Sequence, residues 1–286
     1  MLSLNPKELS VAELHRYLLG AIAPRPIAFA STVDENGNPN LAPFSFFNVF
    51  GANPPMLIFS PARSVRDNTQ KHTLENIEKT KEVVINMVNY DMVQQMSLSS
   101  AMYPKGVNEF EKAGFTMLPS DSIKPFRVAE APVQFECKVT DIIYTGTQGG
   151  AGNLILCEVV KLHINENVLS EDGSIDQYKI DLVARAGGNY YSRARNGFFE
   201  IPKPIRTLGI GVDKIPESIR SSTILTGNNL GMLANVSELP NQETVDNFAK
   251  EHPIYNSLTI EKKHTFAQQY LKNNDIKSAW KVLLLK

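Results

Sequence analysis

Three short apolar runs follow one another early in the chain, over residues 27–33, 44–48 and 56–60, each bounded by turn-forming residues. The first, Ile27-Ala28-Phe29-Ala30-Ser31-Thr32-Val33, mixes β-branched, aromatic and small side chains, a strand composition. Asp34-Glu35-Asn36-Gly37-Asn38 follows, and Asn-Gly between two such runs is the strongest short-range hairpin signal. The second run is Phe44-Ser45-Phe46-Phe47-Asn48. Pro54 and Pro55 precede the third, because proline flanks a strand but does not continue one. Residues 82–89 (EVVINMVN), 133–143 and 153–164 are further strand candidates. The last two are joined by a run that is mostly glycine, residues 146–152, which fits neither Gly-x-Gly-x-x-Gly nor a phosphate loop. It reads as a flexible hairpin connection and not as a nucleotide loop.

Helical spacing is sparser. Ser10-Val11-Ala12-Glu13 has the spacing of a capping box, and Val11, Leu14, Leu18 and Leu19 form an apolar stripe behind it. Leu74 and Ile77 mark a short helix starting near residues 70–73, with Glu75 and Glu78 turned outward. Asp91 is placed to cap a helix over residues 92–101. Residues 103–110 then break regular structure before a short helix that ends at Gly114. Pro202 and Pro204 punctuate a boundary. Three helical patterns follow, the clearest capped by Asp275 with Ile276, Ala279, Trp280, Leu283 and Leu284 on one face.

The helix near residue 72 changes the functional picture. A helix start leaves backbone N–H groups without partners and carries partial positive charge, so it suits an anion. Arg63, Arg66 and Lys71 add full charges there, and Thr69 and Thr73 add hydroxyls. The same residues also fit a plainer arrangement, with Thr69 or Thr73 capping the helix and the cations in solvent. Aromatic and small polar residues lie just upstream. A flat aromatic ligand with a phosphate tail needs both features.

Composition narrows the field. With 29 basic and 30 acidic side chains in 286 residues, the net charge of −1 gives no broad attraction to nucleic acid or an anionic membrane. No apolar run approaches the ~20 residues that span a bilayer. The opening residues lack the charged-then-apolar layout of a secretion signal. Cys137 and Cys157 lie far apart in apolar runs and read as buried, reduced thiols of a cytoplasmic protein. The five histidines show no metal-ligand spacing. There is no Gly-x-Ser-x-Gly elbow and no dinucleotide-binding fingerprint.

The ordered series RPIAFASTVDENGNPNLAPFSFFN, NPPMLIFS, QKHTLENI, EVVINMV, MYPKGVNEFEKAG, RVAEAPVQFECKV, NLILCEVVKLHI and LVARAGGNYYSRA resembles the flavin reductase-like, FMN-binding split-barrel family. That family includes flavoredoxin and the reductase components of two-component monooxygenases. The resemblance implies a mainly β split barrel with peripheral helices over residues 1–200. From Ile201 onward the resemblance fades; there the face of the last helix is too apolar to stand in water, so the partly helical extension over 201–286 is expected to pack on the barrel or on a partner subunit. The resemblance implies an FMN-binding oxidoreductase that takes hydride from transient NADH or NADPH, or alternatively a flavoredoxin-like electron carrier. A homodimer serving a monooxygenase or another electron-transfer protein is the implied assembly.

The expected flavin contacts follow from that resemblance. Lys71 and Thr73 stand at the helix start, where the family usually has Lys-Asp-Thr, and His72 replaces the acidic residue. Arg66 adds charge beside them. Ser45, Phe46, Phe47 and Asn48 suit the polar edge of the ring, with Thr32 and Ser60 as helpers at the ends of neighbouring runs. Arg185 and one of Tyr190 and Tyr191 are implied near the pocket, although a surface arginine and two core-edge tyrosines fit the same pattern. No catalytic acid or base and no metal ligand is expected.

Overall fold

A computed structural model describes residues 1–203 and 208–285. Pro204, one of the two boundary prolines, lies outside the described residues. The chain divides into two compact units, Met1–Phe198 and Phe199–Lys286.

The first unit opens with α1 (Val11–Ala21), whose Ser10–Glu13 capping box forms as the sequence predicts. Strands β1 (Ala28–Val33), β2 (Pro39–Phe44), β3 (Phe47–Ala52) and β4 (Pro55–Phe59) follow, then α2 (His72–Thr80) and β5 (Glu82–Met87). Helices α3 (Val93–Leu98) and α4 (Glu109–Ala113) precede the two-residue strands β6 (Met117–Leu118) and β7 (Arg127–Val128). The long hairpin β8 (Val133–Tyr144) and β9 (Asn153–Ile164) comes next, then α5 (Gln177–Ile180) and a small ribbon of β10 (Val183–Arg185) and β11 (Tyr191–Arg193).

Seven strands form one antiparallel sheet in the order β2-β1-β5-β8-β9-β4-β3. Its two edge strands are consecutive in sequence, separated only by Ser45 and Phe46. The sheet must therefore curl until its edges nearly meet, which makes a split barrel and limits the exposed edges. The 44–48 run, read as one strand, is thus the corner where β2 ends and β3 begins. The Asn-Gly hairpin is present: Gly37 takes φ +84° between β1 and β2, a conformation glycine adopts without strain.

Strand β1 is buried on both faces. Ala28 and Ala30 face the barrel core with Phe59, Leu74, Ile77, Ile85 and Ile155. Ile27 and Phe29 face an outer layer with Met92, Met96, Phe110 and Phe115. Helix α2 contributes Leu74 and Ile77 to the inner core, which anchors it on the barrel.

Several local expectations change. Asp91 caps nothing: α3 starts from Met92 without a side-chain cap and ends at Leu98, with residues 99–101 in three-residue-spaced turns. The glycine-rich tip of β8–β9 is a hairpin, but it is pinned. Arg63 N–H donates to Ala151 O at 2.9 Å, Gly150 N–H to Arg63 O at 3.0 Å, and Asn68 Nδ2 to Thr147 O at 3.1 Å. A Cβ on Gly149 would stand 2.9 Å from Ser64 O, so the close approach of these two loops needs glycine there. The apolar stripe of α1 is only partly covered in the single chain: Val11 and Leu18 are exposed, and Leu14 and Leu19 are half-buried.

The second unit holds α6 (Glu217–Arg220), α7 (Gly227–Ala234), α8 (Gln242–Glu251), α9 (Ile260–Lys272) and α10 (Ile276–Leu283). Asp275 caps α10 as predicted, accepting from Ser278 N–H. Trp280 packs with Leu233, Ala267, Leu271 and Leu283, and its indole N–H donates to Leu233 O at 3.0 Å. These helices therefore share a core of their own. Ending the chain at Pro204 is expected to leave the barrel with a single cooperative urea transition. Loss of that transition would place the second unit within the barrel's core.

Candidate functional site

The start of α2 has no side-chain cap, although two threonines stand beside it. Lys71 occupies the cap position in extended conformation. The two threonines that the sequence offers for capping are engaged elsewhere. Thr69 Oγ1 donates to Asp67 Oδ1 at 2.8 Å, and Thr73 Oγ1 accepts from Asn40 Nδ2 at 2.9 Å. Neither caps the helix. The backbone N–H groups of His72 and Thr73 accordingly have no acceptor among the described residues.

What holds this end in place is a buried network. Asn40 on β2 donates its amide hydrogens to Thr73 Oγ1 and, at 3.3 Å, to Thr32 Oγ1. Asn76, one turn further along α2, donates to the same Thr32 oxygen at 3.1 Å. Thr32, Thr73, Asn40 and Asn76 are all buried. Satisfied buried polar networks specify geometry because breaking any one bond strands a desolvated partner.

A cleft of about 620 Å³ opens against this helix start. That volume lies within the ~300–1,000 Å³ typical of small-ligand pockets. One wall carries Arg63, Lys71, His72 and Thr73 together with Asn40 and Phe44. The segment after α3, including Ser99, Met102 and Tyr103, also lines it, with Glu109 from α4. Lys105 ties this segment to α2 through Glu75 at 2.8 Å. Asp67 also lines the cleft, and hydrogen bonds from Ser64 and Thr69 hold its carboxyl down at about 2.

Lys71, His72 and Thr73 are thus brought together on the cleft, and Thr32 supports them from behind. Ser45–Asn48 follow directly on Phe44 but do not line it. Phe47 packs on the barrel core, Phe46 and Asn48 are exposed, and Ser45 Oγ faces Arg25 Nε at 3.4 Å. Ser60 is a buried brace that accepts from Asn153 N–H at 3.0 Å. Arg66 is exposed and off the cleft wall.

Arg185 and Tyr190 belong to a second cluster. Arg185 donates to Tyr190 O at 2.9 Å and lies over the Tyr191 ring at 4.6 Å, while the Tyr190 side chain itself is 78% exposed. Arg185 and Arg25 exchange backbone hydrogen bonds of 2.9 and 2.8 Å. This ribbon is therefore joined to Ser45 through Arg25. The buried Arg25 guanidinium also holds the end of α1 by donating to Leu19 O and Ile22 O. Burial lowers its pKa, and the Arg185 charge adds to that.

Arg25, Asn40, Ser99 and Glu109 are polar residues of these clusters that pattern reading passed over. Arg25 and Asn40 lie within runs that read as strand and turn, and their roles come from contacts distant in sequence. Glu109 looks like an ordinary first-turn acid of α4. In the fold it is buried and accepts Leu41 N–H at 3.0 Å, the outward amide of edge strand β2. Elsewhere, Asp121, Glu136 and His163 cluster closely enough to hold a metal. There Glu136 already accepts from Asp121 N–H, Ser122 N–H and His163 at 2.7–2.8 Å, and Lys161 pairs with Asp121 at 2.6 Å.

A split barrel with an uncapped, cation-flanked helix start on an open cleft has the architecture of a small-ligand-binding barrel. Residues 20–188 match the Flavin reductase like domain, and the chain belongs to that family of flavin-binding oxidoreductases. A protein of Aquifex aeolicus is 37% identical over 188 residues, covering 66% of this chain and 93% of that protein. Among solved structures, nitrilotriacetate monooxygenase component B from Bacillus cereus is 30% identical with a TM-score of 0.66, covering 70% of this chain and 98% of that one. The Pseudomonas fluorescens 2-nitrobenzoate 2-nitroreductase NbaA is 26% identical with a TM-score of 0.65, covering 73% and 100%.

Burial holds the Glu109 carboxyl above the usual carboxylate range, against the opposing pull of Leu41 N–H and the His72 charge. Its folded pKa is therefore higher than its unfolded one. The associated stability is present below the ordinary carboxylate pKa and is lost as pH rises through the folded value. Glu109→Gln keeps an acceptor for Leu41. Its urea midpoint is expected to match the parent near pH ~4 and to exceed it near pH ~7. A gap that does not widen with pH would show that Glu109 carries no such penalty.

Proposed function

We propose that the barrel binds FMN with its phosphate at the start of α2 and works as an NAD(P)H-dependent flavin reductase. The observation that carries this reading is the uncapped first turn, where the His72 and Thr73 amides lack acceptors beside Lys71 and Arg63. A phosphate monoester offers acceptors and negative charge, and this seat offers donors and positive charge. Charge-assisted hydrogen bonds contribute roughly 1.5–3 kcal/mol each, so two or three make a useful anchor.

FMN, when bound, supplies the redox chemistry by accepting a hydride and passing electrons on. The chain's own part is positional. Asn40 and Thr32 keep the anion seat in register with the barrel wall. Phe44 and Phe47 pack on the barrel core and exclude water from the corner. Ser45–Asn48 follow Phe44 at the corner beside the cleft, within reach of a ring edge only where it extends past Phe44, with Arg25 bonded to Ser45 and paired through its backbone with Arg185 in the ribbon that carries Tyr190. Ser60 braces the neighbouring strands, and Arg66 adds to the positive field. No side chain need act as acid or base, because hydride transfer between stacked rings depends on distance and alignment.

The names of two relatives support the choice of acceptor. One is a component of a monooxygenase and the other a nitroreductase. Reduced flavin handed to an oxygenase partner, or electrons passed directly to a small acceptor, are the two fates consistent with them. The partly uncovered stripe of α1, with Val11, Leu18 and Ile22 exposed, supports a second copy of the chain as the structural partner. Buried free thiols at Cys137 and Cys157 fit a cytoplasmic setting, and no helix among the described residues is long and apolar enough to cross a membrane.

Lys71→Ala is expected to weaken FMN binding by about 1–3 kcal/mol and to leave riboflavin binding unchanged, as read by fluorescence quenching. Unchanged FMN affinity would overturn the phosphate assignment. Anaerobic mixing of the FMN-loaded protein with NADH or NADPH is expected to bleach the flavin absorbance rapidly. Bleaching only by a reduced protein donor would replace the reductase with an electron carrier.

A further inference from the structure

A polar seam runs through the second unit, between α9 and the loop of residues 221–226 that joins α6 to α7. His264 and Gln268 lie one turn apart on α9, and both reach that loop. Gln268 Nε2 donates to Ile224 O at 2.9 Å and to Asn229 Oδ1 at 3.3 Å. His264 is 6% exposed, and its Nδ1 stands 2.8 Å from Ser222 Oγ. Ser222 Oγ also accepts the backbone N–H groups of Ile224 and Leu225, each at 3.1 Å.

The donor count fixes the state of the ring. A hydroxyl has one hydrogen and two acceptor lone pairs. Both lone pairs of Ser222 are taken by amides, so its hydrogen goes to His264 Nδ1. Nδ1 is therefore an acceptor, and the imidazole is neutral. A proton on Nδ1 would face an oxygen with no lone pair left, in a buried seam that solvates charge poorly. Charged groups are sparse on the elements around it. The loop 221–226 and α7 carry none. Helix α6 brings Glu217 and Arg220, and Arg220 donates to Asp213 O at 3.3 Å. Helix α10 brings Lys277 and Lys281, the latter over the Phe248 ring at 5.5 Å. On α9 itself, Lys263 donates to Leu285 O at 3.2 Å, and Glu261, almost one turn back, is the charge that bears on the ring. Burial lowers the His264 pKa, and the Glu261 charge offsets only part of that.

We propose that His264 is an acid-sensitive latch of the second unit: when neutral it holds the 221–226 loop on α9, and when protonated it lets the loop go. Release uncovers apolar surface, because Leu225 is 6% exposed and belongs to the cluster around Trp280. The barrel's cleft takes no part, so the latch stands apart from the FMN reading. Its sign follows from the neutral ring that the fold prefers. Stability is whole above the ordinary histidine pKa of ~6.5, is lost as pH falls below it, and levels off beneath the folded value.

Trp280 is the chain's one tryptophan and sits in this unit's core, so its fluorescence reports the second unit within the full-length protein. The urea midpoint read this way is expected to be level above pH ~7 and to fall between pH ~6.5 and pH ~5. His264→Asn keeps an oxygen near the Nδ1 position for the Ser222 hydroxyl and does not titrate, so its midpoint is expected to stay level over that range. Hydrogen exchange supplies a local readout. Protection factors of the Ile224 and Leu225 amides are expected to drop several-fold from pH ~7 to pH ~5 in the parent, because the loop opens without the whole unit unfolding. An equal acid loss of midpoint in His264→Asn would overturn the latch by placing the titrating group elsewhere. Unchanged protection of the two amides in the parent would overturn it as well, and that measurement stands even where the variant folds poorly.

Discussion

Asn40 is the residue on which the geometry of the cleft turns. Its side chain stands between a strand hydroxyl and a helix hydroxyl and bonds to both. Those two bonds lock the first turn of α2 to the wall of the barrel. Leu74 and Ile77 anchor the same helix by burial, but apolar contacts do not fix its rotation or its height. Directional hydrogen bonds do, and in a buried setting the penalty for an unmet partner makes them hard to break. The strand contributes Thr32, the hairpin partner contributes Asn40, and the helix contributes Thr73 and Asn76. Moving any one of these elements strands a polar group in the interior.

The helix end that this network holds is left deliberately incomplete. A capping side chain typically contributes about 1 kcal/mol to a helix, and α2 forgoes it while two threonines stand close by. Thr73 is turned inward to Asn40 and Thr69 is folded back onto Asp67. The amides they could have satisfied face the cleft instead. Rules of local consistency break most often where a protein has a ligand to bind. Charge follows the same logic: Arg63 and Lys71 bring cations to this wall, whereas the ionised Asp67 and buried Glu109 keep the cleft as a whole mixed in sign.

Much of the barrel was legible because its signals are local. The Asn36-Gly37 turn, the prolines before β4, the long β8–β9 hairpin and the caps at Ser10 and Asp275 each depend on a few adjacent residues, and each appears where the pattern puts it. The run 44–48 was harder. Its five residues look like one strand, yet the closing sheet requires a corner there, and only the strand order reveals that requirement. Asp91 failed as a cap because helix starts are decided by tertiary packing as much as by the nearest polar residue. In the candidate site, Lys71, His72 and Thr73 could be found from the helix start alone. Asn40 and Glu109 could not, since their partners Thr32, Thr73 and Leu41 are distant in sequence, and Ser99 is distinguished only by being buried. Arg25 was hidden for the same reason, its partners being Leu19, Ile22, Ser45 and Ala186.

In the second unit an amphipathic pattern finds cover for its apolar face among the unit's own helices. The face of α10 with Ile276, Ala279, Trp280, Leu283 and Leu284 is too apolar to stand in water, and an outside surface seemed necessary to bury it. The cover comes from the unit's own helices. Trp280 is buried against Leu233 and Leu271, and Ile215, Ile219 and Leu225 complete the same cluster. Tyr255 and Tyr270 add a hydroxyl pair at 3.0 Å, and Gln268 holds Ile224 O at 2.9 Å. A set of helices that satisfies its own apolar faces has no thermodynamic need of a barrel to fold on. The match to the flavin reductase-like family ends at residue 188, just before this unit begins. The part of the chain that carries the cleft and the part that carries Trp280 thus answer to separate packing constraints, and a helix's apolar stripe identifies the need for a partner without identifying which partner meets it.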